Sequence, residues 1–327
     1  MEVLARVVDI AHRAQNFELA IVWLERAAAL APENVEITGL LARDWRVTGQ
    51  HDKAAEAYDR LVQALPGDRE VLLGRAFNSL DTGDRAKALQ DCESLLERNP
   101  DDEEARFYRE LALGNTPKTQ PASVVRSVFD GLAGHFDQHL VTSLKYKLPR
   151  EVADIINQRY PERKLNVLDL GCGTGLLGAC LGRINGALVG VELSQPMIEQ
   201  AITHGVYDKF HNVNLLDALE ATPESLYDVI AALDVFIYVG DLTAAIPNAY
   251  RILRGGGHFI FSCEQAREDE ADLVLRPTKR YAHKASHVEA LCRAAGFEQV
   301  TVELQPLRYE KNEPVTGFLV IARKPAE

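Results

Sequence analysis

The sequence predicts two domains, an all-helical repeat domain followed by a doubly wound α/β domain. Three observations carry that expectation. Small and turn-forming residues recur at a fixed spacing through roughly the first hundred positions. From Leu165 onward, apolar runs of strand length alternate with helical patterns. Between the two lies TPKTQPAS (Thr116–Ser123), with two prolines and little apolar content.

The repeats come first. Ala20, Ala54 and Ala88 stand 34 residues apart, as do Pro32, Pro66 and Pro100, and Gly49 and Gly83 share the spacing. Apolar pairs at helical spacing lie between each alanine and its proline: Leu24 and Ala27, Tyr58 and Leu61, Cys92 and Leu95. The alanine lets two helices approach, the glycine turns the chain, and the proline stops the second helix. The pattern resembles the tetratricopeptide repeat, with repeats over 1–34, 35–68 and 69–102 and a capping helix over 103–114. That resemblance implies a solenoid whose concave face takes a protein or peptide partner, or which serves for self-association.

The next stretch, VVRSVFDGLAGHFDQHLVTSLKYKLP, has Val125, Val128, Phe129, Leu132 and Phe136 at helical spacing. Its polar residues Asp130, His135, Asp137, His139 and Tyr146 suit either a solvated helix face or a flap over a pocket. The expected boundaries are therefore a repeat domain over 1–115, linker and flap helices over 116–160, and the α/β domain over 161–327.

In the α/β domain, LNVLDL, ALVGVEL, HNVNLLD, YDVIAALD and GHFIFSCE read as strands, with helices between them. Ser194 caps SQPMIEQAITHG, and Ser286 with Glu289 spells a capping box before the last helix. EQVTVEL and TGFLVIARK follow each other without a helix, so the final strand should run antiparallel. Alternation of this kind builds a mostly parallel sheet covered on both faces.

The chemistry centres on VLDLGCGTGLLG. Gly173, Gly175 and Gly178 satisfy G-x-G-x-x-G, and Glu192 lies about 20 residues on, so a dinucleotide is one candidate ligand. S-adenosylmethionine fits better. Asp169 precedes the glycines, where an anion helps a cationic ligand and not a pyrophosphate. Glu192, Asp217 and Asp234 follow at successive strand ends, which converge on one crevice in such a sheet.

VLDLGCGTG, VGVELS, NLLDAL and AALDVFIYVGD together resemble the class I S-adenosylmethionine-dependent methyltransferases. The whole chain resembles the group of these that carries N-terminal tetratricopeptide repeats, a pattern shared by FDGLAGHFDQHL, FSCE and KRYAH. Lys279 stands where that pattern has a glycine. The resemblance implies a Rossmann-like, mostly parallel seven-stranded sheet with an antiparallel last strand. It implies that Gly171, Cys172, Gly173 and Gly175 bring the loop against the methionine end and ribose of the cofactor. Asp169 would orient that loop or meet the ammonium, and Glu192 would take the ribose hydroxyls. Leu193 and Met197 would flank the adenine, and Asp217 with the Ala218 amide would hold its edge. Asp234 would face the methionine or the acceptor, and Tyr146 joins the cofactor side.

Methyl transfer needs alignment of donor and acceptor, and a base if the nucleophile carries a proton. Tyr281 and His283, in a stretch expected as a loop, are candidate bases together with Glu264 and His139. No NPPY-like sequence follows the fourth strand, which removes the planar amide clamp of nucleobase and glutamine methylation. A small-molecule oxygen, nitrogen or carbon acceptor is expected first. The alternatives are a protein or peptide acceptor recruited by the repeats, and a non-catalytic adaptor with a vestigial pocket. The intact glycine loop speaks against the last, and a dehydrogenase would need a second catalytic domain.

Composition narrows the rest. A formal charge of −12 argues against broad nucleic-acid binding, which needs cations to displace counterions. Cys92, Cys172, Cys180, Cys263 and Cys292 form no CxxC pair, so neither a metal site nor a disulfide framework is expected. The N-terminal segment lacks the apolar core of a signal peptide, and no apolar run approaches the ~18 residues of a membrane span. A cytoplasmic setting fits.

Overall fold

The computed structural model describes residues 2–14, 16–132, 145–310 and 312–326. The chain divides into two compact units, Met1–Pro117 and Lys118–Glu327.

The first unit is helical: α1 (Glu2–Arg13), α2 (Phe17–Leu30), α3 (Val35–Val47), α4 (His51–Ala64), α5 (Arg69–Thr82), α6 (Arg85–Arg98) and α7 (Glu103–Leu113). The period of the sequence is a period of the helices. Helices α2, α4 and α6 begin at positions 17, 51 and 85, and α3, α5 and α7 at 35, 69 and 103. Asn34, Asp68 and Asp102 cap the second set, each accepting from the backbone N–H three residues on at 3.0–3.1 Å. Ala20, Ala54 and Ala88 are fully buried, where a larger side chain would push neighbouring helices apart.

The second unit is built on nine strands among the described residues: β1 (Val167–Leu170), β2 (Leu188–Val191), β3 (Lys209–His211), β4 (Tyr227–Ala232), β5 (Leu253–Ala266), β6 (Leu273–Leu275), β7 (Tyr281–Lys284), β8 (Gln299–Glu310) and β9 (Glu313–Arg323). Strands β3-β2-β1-β4-β5 lie side by side and parallel. Strand β9 runs antiparallel to β5 and to β8. The helices are α8 (Ala122–Leu132), α9 (Leu148–Arg159), α10 (Leu176–Leu181), α11 (Gln195–Ile202), α12 (Leu215–Ala221), α13 (Ala245–Ile252) and α14 (Ala285–Ala294). Alternation along β1 sorts them onto two faces. Leu168 and Leu170 face a core with α12, α13 and α14, while Val167 faces one with α9 and α10.

The sheet has nine described strands where seven were expected, because the hairpin of β6 and β7 adds to the end of β5. Three local expectations also change. Residues 281–283 form a strand and not a loop. Strand β5 runs beyond its pairing with β9, which ends at Glu264, and residues 264–266 pair with β7. The third strand is only Lys209–His211, because Asn214 already caps α12 by accepting from Leu216 N–H at 2.8 Å. Helix α14 starts at Ala285, ahead of the expected capping box, and Ser286 Oγ instead donates to Glu268 at 2.7 Å. Of the flap, α8 and Tyr146 are described; His135, Phe136, Asp137 and His139 lie outside the described residues. Lys279 has φ +62°, the left-handed conformation in which a glycine is least strained.

Candidate functional site

The strand ends supply the site. Strand β1 stops at Leu170, and the backbone turns through left-handed φ at Gly171, Gly173 and Gly175 before α10. A Cβ on Gly171 would stand 2.4 Å from Val235 Cγ2, so the loop closes on the segment after β4 only because the side chain is absent. Asp169, Gly171, Cys172, Gly173 and Thr174 line a cavity at this end of the sheet. Glu192 and Leu193 join from the end of β2, and Asp234 and Val235 from the end of β4.

Glu192 is 7% exposed. Its carboxylate accepts from Leu193 N–H at 2.7 Å, Ser194 N–H at 2.9 Å and Gly173 N–H at 2.9 Å. Burial raises its pKa, and the three amides pull it back. The same carboxylate thus ties the glycine loop to the end of β2. Asp169 accepts from Tyr207 Oη at 2.6 Å. Burial pushes its carboxyl up to about 7, with the nearby Glu192 charge adding to the shift and the Tyr207 bond opposing it. Asp234 has φ +55°, rare for a residue with a side chain, and its N–H donates to Ser262 Oγ at 2.8 Å. Its carboxylate pairs with Arg308.

Part of the lining is apolar. Ala122, Val125, Phe129 and Leu132 of α8 share one helical face and line the cavity, with Ile237, Tyr238 and Val239. Phe129 meets Tyr238 edge to face at 5.4 Å. Asp130 fixes α8 by accepting from Ser194 Oγ at 2.6 Å. Tyr146, Gln120, Arg280 and Arg308 are further polar residues of the lining.

The structure therefore brings together Asp169, Gly171, Cys172, Gly173, Glu192, Leu193, Asp234 and Tyr146. Several other expected residues are not among the described lining. Gly175 caps α10 and packs on Ala201 and Tyr207. Met197 is fully buried in α11. Asp217 and Ala218 sit in α12, past its cap, with Asp217 exposed; Val213, Asn214 and Leu215 line the cavity in their place. Glu264 is buried and paired with Arg308. Tyr281 and His283 are buried on β7. His283 Nε2 meets the Gly240 carbonyl at 2.7 Å, so it carries the proton and donates. Burial drives the His283 pKa down to about 4, the state of a neutral structural histidine. His139 lies outside the described residues.

Sequence reasoning missed Asn214, Tyr207 and Arg308, while the α8 face fits one of its two readings of the segment, a flap over a pocket. The cap pattern at Asn214 was readable, since it precedes an apolar helix start. Arg308 carried no signal, since it lies between the expected strands EQVTVEL and TGFLVIARK.

Residues 144–302 match the family model for a methyltransferase domain. The matched residues lie within the second unit, and the glycine loop, Glu192 and Asp234 all fall among them. A ubiquinone biosynthesis O-methyltransferase of Xylella fastidiosa is 27% identical over 133 residues, which are 40% of this chain and 54% of that protein. The one of Ralstonia nicotianae is 24% identical over 200 residues, 53% of this chain and 82% of that protein. The chain thus spans about half the length of the first of these relatives. A solved magnesium protoporphyrin IX methyltransferase from Synechocystis is similar at 17% identity and TM-score 0.49, over 62% of this chain and 99% of that one. The described residues hold no group of three or more His, Cys, Asp or Glu placed to bind a metal. No described helix is long and apolar enough to cross a membrane.

Proposed function

We propose that this chain transfers a methyl group from S-adenosylmethionine to an oxygen of a small, largely apolar acceptor. The observation that carries the reading is the mixed lining of the cavity, which joins buried carboxylates and a glycine loop to the apolar face of α8. The donor set suits the cofactor. The Glu192 carboxylate stands beside the loop, ready for ribose hydroxyls. Asp169 and Asp234 offer negative charge to an ammonium and a sulfonium, and Val213, Asn214 and Leu215 offer an apolar slot with one amide for the adenine edge.

When bound, the cofactor supplies an electrophilic methyl group on a sulfonium. The chain supplies alignment and exclusion of water. Phe129, Leu132 and Tyr238 give a ring-sized acceptor a surface to lie on, and Tyr146, Gln120 and Arg280 can orient its hydroxyl. Holding two reactants in line is the larger part of such catalysis. The matched relatives are named O-methyltransferases, which points to oxygen as the acceptor atom.

The first unit fits a tetratricopeptide solenoid, supported by helix starts that repeat every 34 residues, and would serve as a partner-binding or dimerisation platform. A second reading, peptide methylation with the repeats recruiting the substrate, rests on the same period. Incubation of the full chain with methyl-labelled S-adenosylmethionine separates the readings. Hydroxylated aromatic compounds are one set of acceptors and a peptide library the other. Label in the organic-extractable products of the first set supports the proposal. Label confined to peptides would overturn it.

A further inference from the structure

Arg308 belongs to none of the sequence motifs, yet it is the most heavily paired side chain at the cavity. It sits on β8 with its side chain 2% exposed. Its guanidinium reaches three carboxylates on different stretches of the chain: Nη1 to Asp234 after β4, Nη2 to Glu264 on β5, and Nε to Glu310 at 2.9 Å. Arg280 adds a second cation, paired with Glu310 and standing 3.7 Å from Glu264. Among the described residues, these three carboxylates share the two guanidinium groups.

Of the three acids, Asp234 is the one that lines the cavity. Its backbone is held in the left-handed region and anchored to Ser262, so the position of its carboxylate is set by what holds the side chain. Burial favours the neutral acid there, and the Arg308 and Arg280 charges oppose it. A lysine would bring the same charge but not the fork that spans three acids.

We propose that Arg308 is a positioning residue for the donor: it acts through Asp234, fixing that carboxylate where the cationic methionine end of S-adenosylmethionine lies. The inference rests on the function proposed above. It assigns Arg308 no contact with the reacting atoms. Deleting it would leave Asp234 unaimed and the buried Glu264 with only its longer pair to Arg280, so the test must separate those two effects.

The experiment is a double-mutant cycle on the full chain, read as S-adenosylmethionine affinity by calorimetry, in a Glu264→Gln background that removes the stranded buried acid. Adding Arg308→Met should weaken binding about tenfold or more, the scale of a charge-assisted contact. Adding Arg308→Met after Asp234→Asn should change it less than about twofold, because the intermediary is gone. Arg308→Lys in the native background should recover part of the affinity. If Arg308→Met fails to fold, the cycle is run with Arg308→Lys. Equal losses with and without Asp234 would show that Arg308 is scaffold only, and no loss at all would remove its role. Failure of the wild-type chain to bind the cofactor would instead refute the proposed function, and this inference with it.

Discussion

Asp169 illustrates how one buried carboxylate can make a site sensitive to pH. Its ordinary pKa is raised to about 7 by burial, so near neutrality it is half protonated in the free protein. The folded state therefore holds a proton that the unfolded chain gives up near pH 4, and this contribution to stability is lost as pH rises through about 7. Binding has the opposite sign. A cationic cofactor selects the carboxylate, so affinity for S-adenosylmethionine should rise by up to about tenfold between pH 6 and pH 8. Calorimetry at the two pH values checks this, and Asp169→Asn should flatten the profile. A wild-type affinity that falls over this range would contradict it. At the same scale, Glu264, Tyr281 and His283 show what a sequence hides. Their residue types suit acid–base work, but burial, an ion pair and a carbonyl bond hold them in structural roles.

At the scale of elements, the glycine loop was legible because its chemistry is backbone chemistry. Glycines at fixed intervals after a strand can mean little else than a close approach. The third glycine has a different task from the first two. A Cβ on Gly178 would stand 2.3 Å from Tyr207 Cε2, and Tyr207 Oη both accepts from Gly178 N–H at 3.2 Å and donates to Asp169. Gly178→Ala should therefore destabilise the fold by about 1–3 kcal/mol, the usual cost of overpacking. Urea denaturation of the two proteins measures it, and unchanged stability would show that Tyr207 moves freely. The short β3 and the β6–β7 hairpin were not legible. Strand β3 is three residues long, and β7 exists because β5 outruns β9, a fact of pairing that no local pattern encodes. The same limit explains Asp217, an acid of the right type placed one helical turn too late to reach the cavity.

For the whole molecule, the sequence foretold a helical N-terminal region and an alternating α/β region because both rest on periodicity. The helices of the first unit repeat with the period of its alanines and prolines. The acceptor side of the cavity was legible only in its flap helix, for the converse reason. It is assembled from α8, the segment after β4, and strands far apart in sequence, and only the sheet order brings them together. The central claim is that this cavity holds S-adenosylmethionine by way of Glu192. The most direct measurement is calorimetric titration of the full chain with S-adenosylhomocysteine, the reaction product, on the wild type and two variants. The wild type should bind. Glu192→Ala should bind about ten- to a hundredfold more weakly, because it loses charge-assisted hydrogen bonds. Glu192→Gln should be milder, since its amide oxygen can still accept from Leu193 and Ser194 N–H while its NH2 group meets only the Gly173 N–H. No binding by the wild type, or equal affinity in a folded Glu192→Ala variant, would contradict the account.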